Sequence, residues 1–266
     1  MSTRPDWCMH HTDKEIGFRM VMAPPQCDLE YIHYGRVRLD GSHPREELAT
    51  GGLEFALLAV SGAARLEVGG ASFRLGKLDT LYVPCGRQVA VECEGACDLI
   101  LGAASSTLAS EPVLVRWADI KDDPARYFDV GDSALGTQRR IYNVITTDIK
   151  AERLLFGFTF GTAGAWTSWP PHEHAATKEE IYVFFDMPAP AFAVQFVYTN
   201  PARMEVCEPV REGSAVAVPR GYHPTAVAPG FKTTFAWMMA ARNPKTDRDF
   251  KSGIHVQEDY AAVRFL

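Results

Sequence analysis

Apolar and polar positions along the chain alternate over short runs, and the 3.6-residue recurrence of an amphipathic helix is nearly absent. Residues 55–60 are apolar almost throughout. In Ala64-Arg65-Leu66-Glu67-Val68 the apolar Leu66 and Val68 alternate with Arg65 and Glu67, as in a half-buried strand. Gly69-Gly70 then signals a hairpin turn into Ala71-Ser72-Phe73-Arg74-Leu75. Residues 81–84 and 89–92 continue the series, and further strands are expected at 140–145, 154–160 and 180–185. Short strands punctuated by glycine and proline belong to sandwiches and barrels, so the expected class is all-β. The small, polar stretch 103–110 reads as a boundary. Residues 119–126 are expected to form a short helix that Pro124 limits to a turn or two.

The two halves of the chain repeat one another. Gly76 through Val83-Pro84-Cys85-Gly86 parallels Gly213 through Val218-Pro219-Arg220-Gly221. Extending that register sets Gln88 opposite His223. Aligning Glu54-Phe55 with Glu180-Ile181 sets Glu46 and Leu48 opposite His172 and His174. The expected organisation is two units: residues 1–112, keeping carboxylates but no imidazole at the ligand positions, and residues 113–266, carrying a metal.

That metal is inferred from Pro170-Pro171-His172-Glu173-His174, followed by Glu180 and later by His223. Three imidazoles and a carboxylate are what zinc, iron or manganese takes as ligands. In a strand, His172 and His174 point to the same side. Glu180 opens a β-branched and aromatic run whose even positions share a face, which sets Tyr182 beside the metal. Glu179 is either a solvated charge or an acid/base group. Arg220 and Lys178 are candidates to hold a substrate carboxylate, the arginine better suited by its planar fork; the alternative for each is an exposed or locally paired cation. Trp166 and Trp169 could wall a sugar ring or belong to the core. His10, His11, His33, His43 and His255 lack a spacing that recruits them.

Composition narrows the setting. With 47% hydrophobic residues and 23% charged ones the chain has ample material for a buried core. A net charge of −6 gives no invitation to nucleic acid or to an anionic membrane face. No apolar run reaches the length of a membrane span, and the N-terminus lacks the apolar stretch of a secretory signal. The six cysteines are scattered, with no pair at CxxC spacing, and read as reduced thiols of a cytoplasmic protein. Exposed sheet edges favour a homo-oligomer.

The stretches Gly164-Ala165-Trp166-Thr167-Ser168-Trp169-Pro170-Pro171-His172-Glu173-His174, Glu179-Glu180-Ile181-Tyr182 and Val218-Pro219-Arg220-Gly221-Tyr222-His223-Pro224 resemble the cupin superfamily. Within it they are most similar to the 5-deoxyglucuronate isomerase family of inositol catabolism and its sister, the 5-keto-4-deoxyuronate isomerases. The resemblance implies a bicupin of two jelly-roll β-barrels with one divalent metal, zinc first and manganese or iron after it, held by His172, His174, Glu180 and His223. It implies an aldose–ketose isomerase acting on a small sugar acid, with Glu179, Tyr182 and Arg220 as candidate catalytic residues. An iron-dependent dioxygenase and a non-catalytic sugar-acid-binding cupin are the rival readings.

Overall fold

The computed structural model describes residues 6–262. It is built of antiparallel strands. One sheet runs in the order Gly17–Met22, Ile32–Leu39, Gln88–Ser105, Leu53–Val68, Thr80–Val83, Val113–Val115, with Arg45–Ala49 and Ala71–Leu75 paired to its two longest strands. A second runs Cys8–Met9, Ala215–Val218, Lys178–Phe184, Thr234–Ala241, Leu154–Gly161, Arg139–Ile145, Tyr127–Val130. A four-stranded sheet, Trp166–Thr167, Thr225–Val227, Ala193–Val197, Val206–Val210, packs against the second through buried Ala193, Val197, Val206 and Val227. The all-β expectation holds. Among the described residues the α-helix is Trp117–Ile120, earlier and shorter than the expected 119–126.

The runs expected at 55–60 and 64–68 are one strand, Leu53–Val68, whose register shifts on either side of Ser61-Gly62. Gly62 sits at φ +68°, and a Cβ there would lie 1.9 Å from the Ala96 carbonyl oxygen, so only glycine allows the bend. The chain crosses between sheets at both ends of its first half. Cys8–Met9 joins the second sheet, and Val113–Val115 still pairs within the first.

Burial on both faces explains why residues 55–60 are apolar without alternation. Phe55, Leu57 and Ala59 join a cluster formed wholly by the first half. Ala56, Leu58 and Val60 join a larger cluster that includes Phe156, Ile181 and Met238 of the second half. Gly102 lets the halves approach closely: a Cβ there would be 3.1 Å from the Phe156 ring.

Two buried carboxylates tie the halves reciprocally. Glu54 accepts backbone N–H groups of Glu152, Arg153 and Leu154 at 2.7–2.8 Å, and the Tyr82 hydroxyl at 2.9 Å. Glu179 accepts those of Glu30 at 2.9 Å, Ile32 at 2.6 Å, and Tyr31. The pairings match: Glu54 and Ile32 both lie opposite Ala104, as Glu179 and Leu154 both lie opposite Ala240. The counterpart of Glu54 is therefore Glu179, one residue from the alignment drawn with Glu180. Phe55, paired with Val83 as Glu180 is with Val218, occupies the position of Glu180. A strand alternates faces at every residue, so a one-residue offset exchanges a carboxylate aimed into a barrel for one aimed at the other half.

Candidate metal centre

The second half gathers three side chains whose ligand atoms all lie within 4.8 Å of one another: His174, Glu180 and His223. Glu180 Oε2 is 3.0 Å from His174 Nε2 and 3.4 Å from His223 Nε2. The His172 ring stands 4.7 Å from that of His223 and 6.3 Å from that of His174, between centroids. All four residues are buried.

Local structure aims each ring. His172 lies on the ribbon His172–Glu173, paired with His255–Val256, and His174 begins the turn beyond it. His223 follows Gly221, whose φ of +91° and 2.7 Å approach of the Tyr198 carbonyl oxygen to a hypothetical Cβ admit only glycine. Gln195 fixes that turn, donating from Nε2 to the carbonyls of His223 and Pro224. On the far side of each ring Nδ1 meets a backbone carbonyl: Pro170 at 3.0 Å for His172, Lys178 at 3.3 Å for His174, Gly221 at 3.0 Å for His223. Carbonyl oxygens only accept, so Nδ1 carries the proton, and in the neutral ring Nε2 presents its lone pair. Burial, foremost, lowers His172 and His223 from 6.5 to about 3, which keeps both rings neutral. The buried His223 Nε2 has no hydrogen-bond partner. Its lone pair faces Glu180 Oε2 at 3.4 Å, and the two repel one another unless a cation lies between them. The donor set therefore fits a divalent metal.

Beside the centre lies a chamber of about 50 Å³ lined by Arg139, Ser168, Tyr182, Phe235, Trp237 and Phe250 besides His172, His174 and Glu180. A larger cleft of about 740 Å³ opens elsewhere on the surface and contains none of the candidate residues. Tyr182 stands in the chamber as expected, its hydroxyl 2.8 Å from Ser168 Oγ. Burial above all, with Glu180 adding, holds it un-ionised well above its ordinary range.

The other candidates lie apart. Glu179 projects from the opposite face of its strand and spends its oxygens on residues 30–32, so it cannot exchange protons in the chamber. Arg220 is half exposed, donates to Asp28 at 2.9 Å, and stacks over the Trp7 ring at 4.8 Å. Lys178 is buried on the Glu180 face, but its ammonium donates to the Ser252 and Asp247 carbonyls and the Ser252 hydroxyl. It fastens the segment 247–256 across the barrel mouth. Burial lowers its pKa, with Asp249, Asp247 and Glu180 acting in the opposite sense. Trp166 and Trp169 pack edge to face at 5.0 Å in a cluster with Phe196 and Tyr260, away from the chamber wall. Arg139, Ser168 and Trp237 carry no spacing signal, and only the folded chain brings them to His172 and His174.

The KduI/IolB family model matches residues 7–256, nearly the whole chain. The chain belongs to the KduI/IolB family. A 5-deoxy-glucuronate isomerase of Geobacillus kaustophilus is 34% identical over 110 residues, covering 39% of this chain and 40% of that protein. One of Shouchella clausii is 25% identical over 230 residues, 80% of this chain and 82% of that one. A 4-deoxy-L-threo-5-hexosulose-uronate ketol-isomerase of Opitutus terrae is 33% identical over 138 residues, 50% and 48% of the two chains. Among solved structures, an IolB-like protein of Salmonella typhimurium superposes with a TM-score of 0.84 at 23% identity, over 97% of this chain and 98% of that one. Oxalate decarboxylase of Bacillus subtilis, a cupin, gives 0.66 at 15% identity, over 99% and 82%. The KduI/IolB fold is thus a cupin fold here too, and among the described residues no helix is long and apolar enough to cross a membrane.

Proposed function

We propose that this protein is a metal-dependent aldose–ketose isomerase of a deoxyuronate, converting 5-deoxyglucuronate to 2-deoxy-5-keto-gluconate. The observation that carries the reading is the convergence of imidazole nitrogens and one carboxylate on a single buried point beside an un-ionised tyrosine. His172, His174, Glu180 and His223 would hold the metal, and the mixed nitrogen and oxygen donors favour zinc, with manganese or iron next. Bound there, such an ion supplies a Lewis acid for the negative charge of an enediolate. Isomerisation moves one hydrogen from C2 to C1 and one from O2 to O1, so substrate and product contain the same atoms. Tyr182, kept protonated and oriented by Ser168, donates a hydrogen bond to a substrate oxygen. Residues 1–112 would serve as structural support, since Phe55 fills the place of the ligating carboxylate.

The Opitutus relative makes 4-deoxy-5-hexosulose-uronate the second substrate to try. Proton NMR of the metal-loaded protein with 5-deoxyglucuronate under anaerobic conditions tests the reading. Loss of the aldehyde-hydrate signal with growth of a ketone, abolished in His172→Ala, is the expected result. An unchanged spectrum with both uronates, or oxygen uptake on admitting air, would overturn it.

A further inference from the structure

We propose that Arg139 is the anchor for the carboxylate of an open-chain sugar acid and sets the preference for acids over neutral sugars. This rests on the reading of the chamber as a sugar-acid site.

Arg139 heads the strand Arg139–Ile145 and is 3% exposed. Its guanidinium donates to two neutral carbonyls, Thr137 at 2.9 Å and Trp169 at 2.8 Å. Among the described residues no carboxylate forms an ion pair with it, whereas the equally buried Arg36 is bidentate to Asp98 at 2.7 and 2.8 Å. A buried cation without a counter-ion is costly, and burial accordingly lowers Arg139, but only to about 10, so it stays charged at neutral pH. Two carbonyls take two of its five N–H groups, and the remaining donors match the two oxygens of a carboxylate.

Its position gives the charge a use. Arg139 lines the chamber of the histidines and also a second one of about 160 Å³, with Ile141, Phe250 and Ile254 common to both walls. Phe128 and Val130 complete the outer chamber, and Lys251 lies over the Phe128 ring at 4.5 Å. The first chamber alone is too small for a six-carbon acid, and the second, which shares four of its lining residues, offers about 160 Å³ next to it. A chain threading both would set its carbonyl end at the histidines and pass its carboxylate beside Arg139. Apolar walls suit a carbon that has lost its hydroxyl.

The probes are D-gluconate and D-glucitol, open-chain polyols that differ by a carboxylate, titrated calorimetrically into metal-loaded protein. Wild type should bind gluconate at least ~10-fold more tightly. Arg139→Gln should abolish that preference at unchanged metal content, and Arg139→Lys, which keeps the charge without the fork, should retain part of it. If Arg139→Gln does not fold, the lysine variant carries the test through a several-fold weaker preference. A preference that survives in Arg139→Gln, or stays undiminished in Arg139→Lys, would mean that gluconate chelates the metal or binds elsewhere, and the proposal falls. It falls equally if wild type shows none. Gluconate selectivity without turnover of either deoxyuronate would sink the isomerase reading and leave the anchor standing; turnover with an unchanged KM in Arg139→Gln would do the reverse.

Discussion

Two imidazoles that cannot readily be protonated make the metal-free protein acid-sensitive. His172 and His223 fall from 6.5 to about 3 because they are buried. Between those values the unfolded chain binds protons that the folded one refuses, so stability rises with pH from about 3 to 6.5 and levels off above. Urea midpoints of metal-stripped protein should show this, and His223→Asn should remove about half of the His-dependent slope. An identical pH profile in wild type and variant would refute the assignment. The histidines were legible because His-x-His, Glu180 and a glycine-turn histidine are separated by spacings that a barrel brings together. Arg139 was not: one arginine at the head of a strand reads as a surface charge until residues 250–254 close over it. Arg220 shows the converse, a residue beside a motif that the turn directs towards Asp28 and Trp7.

Parity within one strand separates Glu179 from Glu180, and it assigns them unrelated work. The three backbone donors on Glu179 match the three on Glu54, so Glu179→Gln and Glu54→Gln should cost similar amounts, about 3 kcal/mol each, as an amide turns its NH₂ towards N–H groups. Chemical denaturation reads this, and a loss confined to one variant would contradict the equivalence. The strap 247–256 is a second such element. Lys178→Met should release its carbonyls and raise amide exchange there while the strands Leu154–Gly161 and Thr234–Ala241 stay protected. Uniform exchange across the second half would show Lys178 to be a general core residue instead. Strand positions were readable from apolar runs, since burial on both faces leaves an unmistakable stretch at 55–60. The register between halves was not, because two adjacent glutamates fit a sequence alignment equally well and only hydrogen-bond partners distinguish them.

At the scale of the molecule, the halves share a hydrophobic cluster from Ile32 and Leu58 to Phe156 and Met238. They should therefore unfold together. Calorimetry should give one transition, raised by added metal and lowered by a chelator, because the ion binds only the folded form. Two transitions, with the chelator moving only one, would show the halves to be energetically separate.

The reciprocal grip of Glu54 and Glu179 also bears on ancestry. Each half carries both parts of the fastening, a carboxylate aimed at the other half and a row of three amides at the head of a strand. Two copies of one half thus possess everything that a self-complementary twofold contact requires. A gene encoding a single barrel that paired with itself would, once duplicated and joined end to end, yield this arrangement directly. In such a descent one barrel would be released from chemistry, its interior free to hold Phe55 where the other holds Glu180, while the shared seam would keep the carboxylate of Glu54 next door.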